Sequence, residues 1–171
     1  MGSTFWIELP IVDGGFDPTS AAIADGDEQT GAATGTAHAA PRTEKTVLYI
    51  EDNEANFDLV KNVLRHRPQI KLLAAMQGRS GLELAQRHRP DLILLDFHLP
   101  DINGDEVLRR LREEASTRDI PVIMVSADAT PRQIERMLAA GAIAYLTKPL
   151  NVKQFLITLD ENLMGIADGY C

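Results

Sequence analysis

From Val47 onward the chain repeats one pattern, a short apolar run followed by a stretch long enough for a helix. The runs are Val47–Ile50, Ile70–Ala74, Leu92–Leu95, Val122–Val125 and Ile143–Leu146. The runs beginning at Val47, Leu92 and Val122 are continuously apolar over four residues, as parallel strands covered on both faces require. Ile70–Ala74 carries Lys71 and is expected at a sheet edge. Helical spacing links Phe57, Val60 and Leu64, with Val63 beside them. It also links Ile134, Met137 and Leu138, and then Val152, Phe155, Leu156, Leu159 and Leu163. Thr130-Pro131 reads as a cap followed by Pro at the first helical position, Gly141 as a helix stop, and Asn151 as a cap for the last helix. Five strand-then-helix units in about 120 residues predict a doubly wound α/β domain, because parallel strands need right-handed crossovers.

Composition narrows the function. The formal net charge of −8 argues against a broad hold on nucleic acid, which needs clustered Lys and Arg. The only cysteine is Cys171, so no intrachain disulfide forms, which fits a reducing compartment. No apolar run approaches the roughly 20 residues that span a bilayer, and the N-terminus lacks the basic start and apolar stretch of a secretory signal. A cytoplasmic location without membrane contact is the expectation.

In a doubly wound sheet, ligands bind beyond the carboxyl ends of the strands. Glu51 and Asp52 follow the first run, Asp96 ends the third, Ser126 the fourth, and Lys148 lies just after the fifth. All five should face one crevice. Three carboxylates there repel one another, and a hard divalent cation is the natural compensation. A lysine and a hydroxyl opposite the acids suit phosphoryl oxygens. Asp96 would then attack phosphorus and become an aspartyl phosphate. Each residue also has a bland reading: a solvated acidic loop, a hydrogen-bonding loop serine, a surface lysine, a capping aspartate. It is their joint arrival at the ligand edge that favours chemistry.

The ordered set Val47-Leu48-Tyr49-Ile50-Glu51-Asp52-Asn53, Asp91-Leu92-Ile93-Leu94-Leu95-Asp96, Leu99-Pro100-Asp101-Ile102-Asn103-Gly104, Val125-Ser126-Ala127 and Tyr145-Leu146-Thr147-Lys148-Pro149 resembles the receiver domains of two-component response regulators. The likeness runs from about Thr46 to Leu163. It implies a flavodoxin-like fold with strand order 2-1-3-4-5 and five helices. It implies Asp96 as phosphoacceptor and Mg²⁺ as cofactor, held by Asp52, Asp96 and the backbone carbonyl of His98, with Glu51 acting through water. Lys148, Ser126 and Ala127 would bind the phosphoryl group, and Ser126 and Tyr145 would form the switch. Lys148-Pro149 falls where the family has a cis peptide. Glu51 stands where the family more often has Asp. The implied partners are a histidine kinase or a histidine phosphotransfer protein. Two other classes compete: a phosphorylation-independent interaction module on the same fold, and a nucleotide- or flavin-binding enzyme. The latter needs a glycine-rich phosphate loop after the first strand, where Glu51-Asp52-Asn53-Glu54 would instead repel phosphate.

Residues 1–12 contain Gly2-Ser3-Thr4-Phe5-Trp6-Ile7-Glu8-Leu9-Pro10, which looks like the last glycine box and closing strand of a histidine-kinase ATP-binding domain. That would make the chain the C-terminal piece of a hybrid kinase, without the parts needed to use ATP. Residues 13–44 are rich in Ala, Gly, Thr and Asp and read as a linker, residues 45–165 as the receiver, and 166–171 as a tail. Only eight residues follow Leu163, so no output domain is expected there. The Phe5-Trp6-Ile7 strand, if separated from its sheet, would be disordered or borrow an edge from a second copy, giving a homodimer. On this division, a chain beginning at Glu44 keeps the melting temperature and the phosphoryl-labelling rate of the full chain. Side-by-side melts and labelling at equal dilution check it; a labelling rate several-fold lower would move the boundary.

Overall fold

A computed structural model describes residues 44–163. The kinase-like segment, the linker up to residue 43 and the tail lie outside the described residues, as do the last two residues of the expected receiver span. Ten elements alternate: β1 (Lys45–Ile50), α1 (Glu54–Leu64), β2 (Ile70–Ala75), α2 (Gly78–His88), β3 (Leu92–Asp96), α3 (Gly104–Glu113), β4 (Val122–Ser126), α4 (Pro131–Ala139), β5 (Ala144–Thr147) and α5 (Val152–Leu163). The five strands are parallel in the order β2-β1-β3-β4-β5, with β2 at one edge as Lys71 indicated. The fifth strand begins one residue later than its apolar run: Ile143 is exposed and only its N–H reaches Val122 O.

Alternation along the central strands splits the core in two. Leu48, Ile50, Ile93, Leu95, Val122 and Met124 face α2, α3 and α4, where Ala85, Val107, Leu108, Leu111 and Met137 cover them. Val47, Tyr49, Leu92, Leu94, Ile123 and Val125 face α1 and α5, against Val60, Leu64, Phe155, Leu159 and Leu163. Both sheet faces are therefore dry, which is why these strands read as unbroken apolar runs.

The expected caps form. Thr130 Oγ1 accepts from Gln133 N–H ahead of Pro131, Asn151 Oδ1 accepts from Gln154 N–H, and Gly141 takes φ +104° after α4. Asn53 Oδ1 caps α1 by accepting from the N–H groups of Ala55 and Asn56. The start of α2 is capped from elsewhere: the Asp101 carboxylate, in the loop after β3, accepts from Gly78 N–H at 2.7 Å and Arg79 N–H at 2.9 Å. This ties the loop behind Asp96 to a neighbouring helix.

Gly104 opens α3 directly behind the end of β3. Its N–H donates to Phe97 O, and a Cβ there would lie 2.5 Å from Asp96 O and 2.8 Å from Phe97 Cα. Both neighbours are backbone, so neither can step aside cheaply. Gly104→Ala should therefore destabilise the fold by about 1–3 kcal/mol, as overpacking does. Urea titration of the two chains measures it, and a cost near zero would show that this backbone approach is looser than described.

Candidate phosphoryl-transfer site

Because the strands are parallel and in register, their carboxyl ends form one ledge: Ile50 pairs with Leu95, Asp96 with Val125 and Ser126 with Thr147. Glu51 and Asp52 leave β1 on that ledge, Asp96 ends β3, and Lys148 follows β5, its N–H bonded to Ser126 O. The Lys148-Pro149 peptide is cis. One carboxylate oxygen from each of Glu51, Asp52 and Asp96 lies within 4.8 Å of the others.

Burial divides the three acids. Glu51 and Asp96 are buried at 1% and 3% exposure, whereas Asp52 is exposed. Lys148 Nζ joins the buried pair, 2.6 Å from Glu51 Oε2 and 2.8 Å from Asp96 Oδ2. Asp96 Oδ1 accepts from His98 N–H at 3.3 Å. Glu51 is the more heavily supported: Oε2 also accepts from Tyr49 Oη at 2.7 Å, and Oε1 accepts from Asn53 N–H and Asn56 Nδ2. The His98 imidazole is exposed and sits edge-on to Phe97.

These surroundings set the protonation. Burial would raise the Glu51 carboxyl, but donors from Lys148, Asn56 and Tyr49 outweigh it, and its pKa lies below the usual range. Asp96 is pushed up, chiefly by burial and further by the Glu51 charge, against the Lys148 hydrogen bond. Lys148 is raised: its two carboxylates outweigh its own burial. Burial likewise drives the Tyr49 hydroxyl far upward, so it is a neutral donor at any physiological pH. Three carboxylates and one ammonium leave a formal charge of −2, and the one exposed acid, Asp52, is a free oxygen donor beside Asp96. The donor set fits a hard divalent cation that keeps several waters, as Mg²⁺ does.

On the next strand, Ser126 is fully buried and its Oγ accepts from Asp128 N–H at 3.1 Å; Ala127 beside it is exposed. Tyr145 is half-buried in β5, and its hydroxyl donates to the carbonyl of the same Asp128. The structure thus gathers Glu51, Asp52, Asp96 and Lys148 directly, and links Ser126 to Tyr145 through Asp128. Sequence reasoning missed Tyr49, Asn56, Asp101 and Asp128. Tyr49 was findable: two residues before Glu51 on a strand, it shares its face.

A carboxyl with a raised folded-state pKa binds its proton more tightly folded than unfolded. Its charge therefore costs stability at pH above both values, and the cost fades as pH falls from the folded value to the unfolded one, below which it is gone. In chelator, Asp96→Asn should raise the melting temperature by several degrees at pH 7–8, with the gain shrinking toward the ordinary aspartate value of 3.8. Melts across that range check it. A lower melting temperature for the variant would mean that the Lys148 contact outweighs burial.

Comparison with known proteins agrees with this geometry. The model of the response regulator receiver domain matches residues 47–160. The polar-differentiation response regulator DivK of Brucella anthropi is 38% identical over 119 residues, covering 70% of this chain and 96% of that protein, and its Brucella ovis counterpart is 37% identical over the same span. Among solved structures, chemotaxis protein CheY4 of Vibrio cholerae superposes with a TM-score of 0.65 at 28% identity, covering 70% of this chain and 99% of that one. The receiver domain of a Pseudomonas aeruginosa sensor histidine kinase, solved with a magnesium ion in its active-site cleft, gives the same TM-score and identity over 71% of this chain and 99% of that one. The strand order, the acidic ledge with its lysine and the matched span agree, and the chain belongs to the response regulator receiver domain family.

Proposed function

We propose that this domain takes a phosphoryl group from a phosphohistidine, on a histidine kinase or a histidine phosphotransfer protein, onto Asp96. The observation that carries the reading is Lys148 Nζ, held between Glu51 and Asp96 at the end of β3. An Asp96 oxygen attacks phosphorus in line, the P–N bond to the donor imidazole breaks, and its electron pair returns to that nitrogen. Asp52, Asp96 and the His98 carbonyl would hold Mg²⁺, with Glu51 reaching it through water. A bound Mg²⁺ supplies charge neutralisation at the phosphoryl oxygens. Lys148 and the Ser126 hydroxyl pair with those oxygens, and the small Ala127 leaves room for them. Occupancy then biases the surface formed by α4, β5 and α5 through Ser126 and Tyr145.

The solved Pseudomonas receiver with its magnesium ion supports the cation assignment. Its origin in a sensor kinase, with the kinase-like sequence of residues 2–10, supports a hybrid kinase as the parent of this chain. A cytoplasmic setting follows from that role; among the described residues no helix is long and apolar enough to cross a membrane.

With acetyl phosphate and Mg²⁺, the full chain should gain one phosphoryl group by intact mass, and chelator should abolish the gain. Asp96→Asn should gain none. Lys148→Ala should be labelled about 10²-fold more slowly, the cost of removing one preorganised donor from a developing anion. Full labelling of Asp96→Asn would sink the assignment.

A further inference from the structure

Glu51 has more support than a water-mediated metal contact requires. Four donors hold it: Tyr49 Oη and Lys148 Nζ on Oε2, Asn53 N–H and Asn56 Nδ2 on Oε1. Three come from β1 and the start of α1. Only Lys148 is shared, because the same ammonium also holds Asp96.

Tyr49 is the unexpected member. It is fully buried at the centre of the sheet, between Ala74 of β2 and Leu94 of β3, where an apolar side chain would pack without a polar group. Its ring stacks on Phe57 of α1, with centroids 6.4 Å apart and planes at 28°. That packing aims the hydroxyl at Glu51.

To pair with a phosphoryl group on Asp96, Lys148 must loosen its hold on Glu51. A buried carboxylate that lost its only strong donor would resist this, since an unpaired buried charge is costly. Tyr49 and Asn56 reach Glu51 from β1 and α1, independently of Lys148. We propose that Tyr49 is a positioning residue of the phosphoacceptor site: its hydroxyl, with the Asn56 amide, keeps Glu51 satisfied so that Lys148 can turn to the phosphoryl oxygens. This rests on the assignment of Asp96 as phosphoacceptor.

Tyr49→Phe keeps the ring and removes the donor. Glu51 then grips Lys148 more tightly, and labelling slows. The test uses the full chain, acetyl phosphate labelling rates at saturating Mg²⁺, and calorimetric Mg²⁺ titration. Tyr49→Phe should slow labelling about tenfold, equivalent to about 1.4 kcal/mol. Mg²⁺ affinity should not fall, because the metal's own ligands are untouched. In a Lys148→Ala background the same change should alter the rate by less than about twofold, since residues that act through one another are not additive. Three results overturn the proposal: a Tyr49→Phe rate at the wild-type level, Mg²⁺ affinity falling in step with the rate, or an undiminished tenfold loss without Lys148. If Tyr49→Phe does not fold, Asn56→Ala decides. It should slow labelling several-fold only when Lys148 is present, and an unchanged rate overturns the idea. An unlabelled wild type overturns the phosphoacceptor assignment itself, and the inference with it.

Discussion

Two carboxylates share one ammonium inside the protein, and the rest of the site is arranged around that imbalance. Glu51 and Asp96 lie at the ends of adjacent strands and are both nearly inaccessible to water. One lysine between them neutralises half of their charge. Replacing water around a buried ion needs hydrogen bonds as well as a counter-charge. Glu51 has them in full; Asp96 has a lysine and one long backbone N–H. The two acids are chemically alike, yet one is fixed and low in pKa while the other is raised and under-served. The under-served carboxylate is the one suited to form a bond, and its shortfall is also what a cation beside Asp52 would relieve.

Holding that imbalance demands a rigid ledge. β1, β3 and β4 are covered on both faces, so their ends cannot drift. Gly104 brings the first residue of α3 against the backbone of Asp96 and Phe97. Asp101 pins the loop after β3 to the start of α2. Farther away, Arg112 donates to the carbonyls of Arg118, Ile120 and Gly141, drawing together the loops before β4 and β5 at the opposite edge. Bidentate Arg67–Asp160 ties the turn before β2 to α5. The site's geometry is thus a property of the whole sheet and of its cross-braces.

Much of this was legible in the sequence, for stated physical reasons. Strands buried on both faces leave unbroken apolar runs, and α1 and α5 bury stripes of large side chains, so their spacing shows, whereas α4 buries only Met137 of its apolar set and leaves Leu138 exposed. Site acids at strand ends follow from topology. α2 was legible only as an interval, because the face it buries is Gly78, Ser80, Gly81 and Ala85. A Cβ on Gly81 would sit 2.4 Å from Ile50 Cδ1, so close approach replaces a hydrophobic stripe with small residues. Its cap was equally hidden: Asp101 is more than twenty residues away in sequence, and no local pattern records such a bond. Tyr49 was counted as one more apolar strand residue. Its ring does behave so; only the hydroxyl departs, and it does so because Glu51 follows it on the same face of the chain.

On the proposed reading, the contacts of Asp128 offer a route by which an event at Asp96 travels. The Asp128 N–H is held by Ser126 Oγ, and its carbonyl by the Tyr145 hydroxyl. Both residues therefore hold one short segment of backbone. In this state the serine oxygen is an acceptor. Facing a phosphoryl oxygen, which has no proton to give, the same hydroxyl must act as donor, and a shift toward that oxygen stretches or breaks its bond from Asp128 N–H. The loop between Ser126 and Thr130 would then lose its anchor at the phosphoryl side and keep it at Tyr145. Thr130 caps α4 through its side chain, so displacement of this loop is delivered to the first turn of that helix. Tyr145 is half-buried, and its hydroxyl donates to the Asp128 carbonyl, so its ring is tied to this loop. On the proposed reading, coupling needs no path through the packed sheet: one loop with two anchors, of which phosphorylation claims the first, is sufficient.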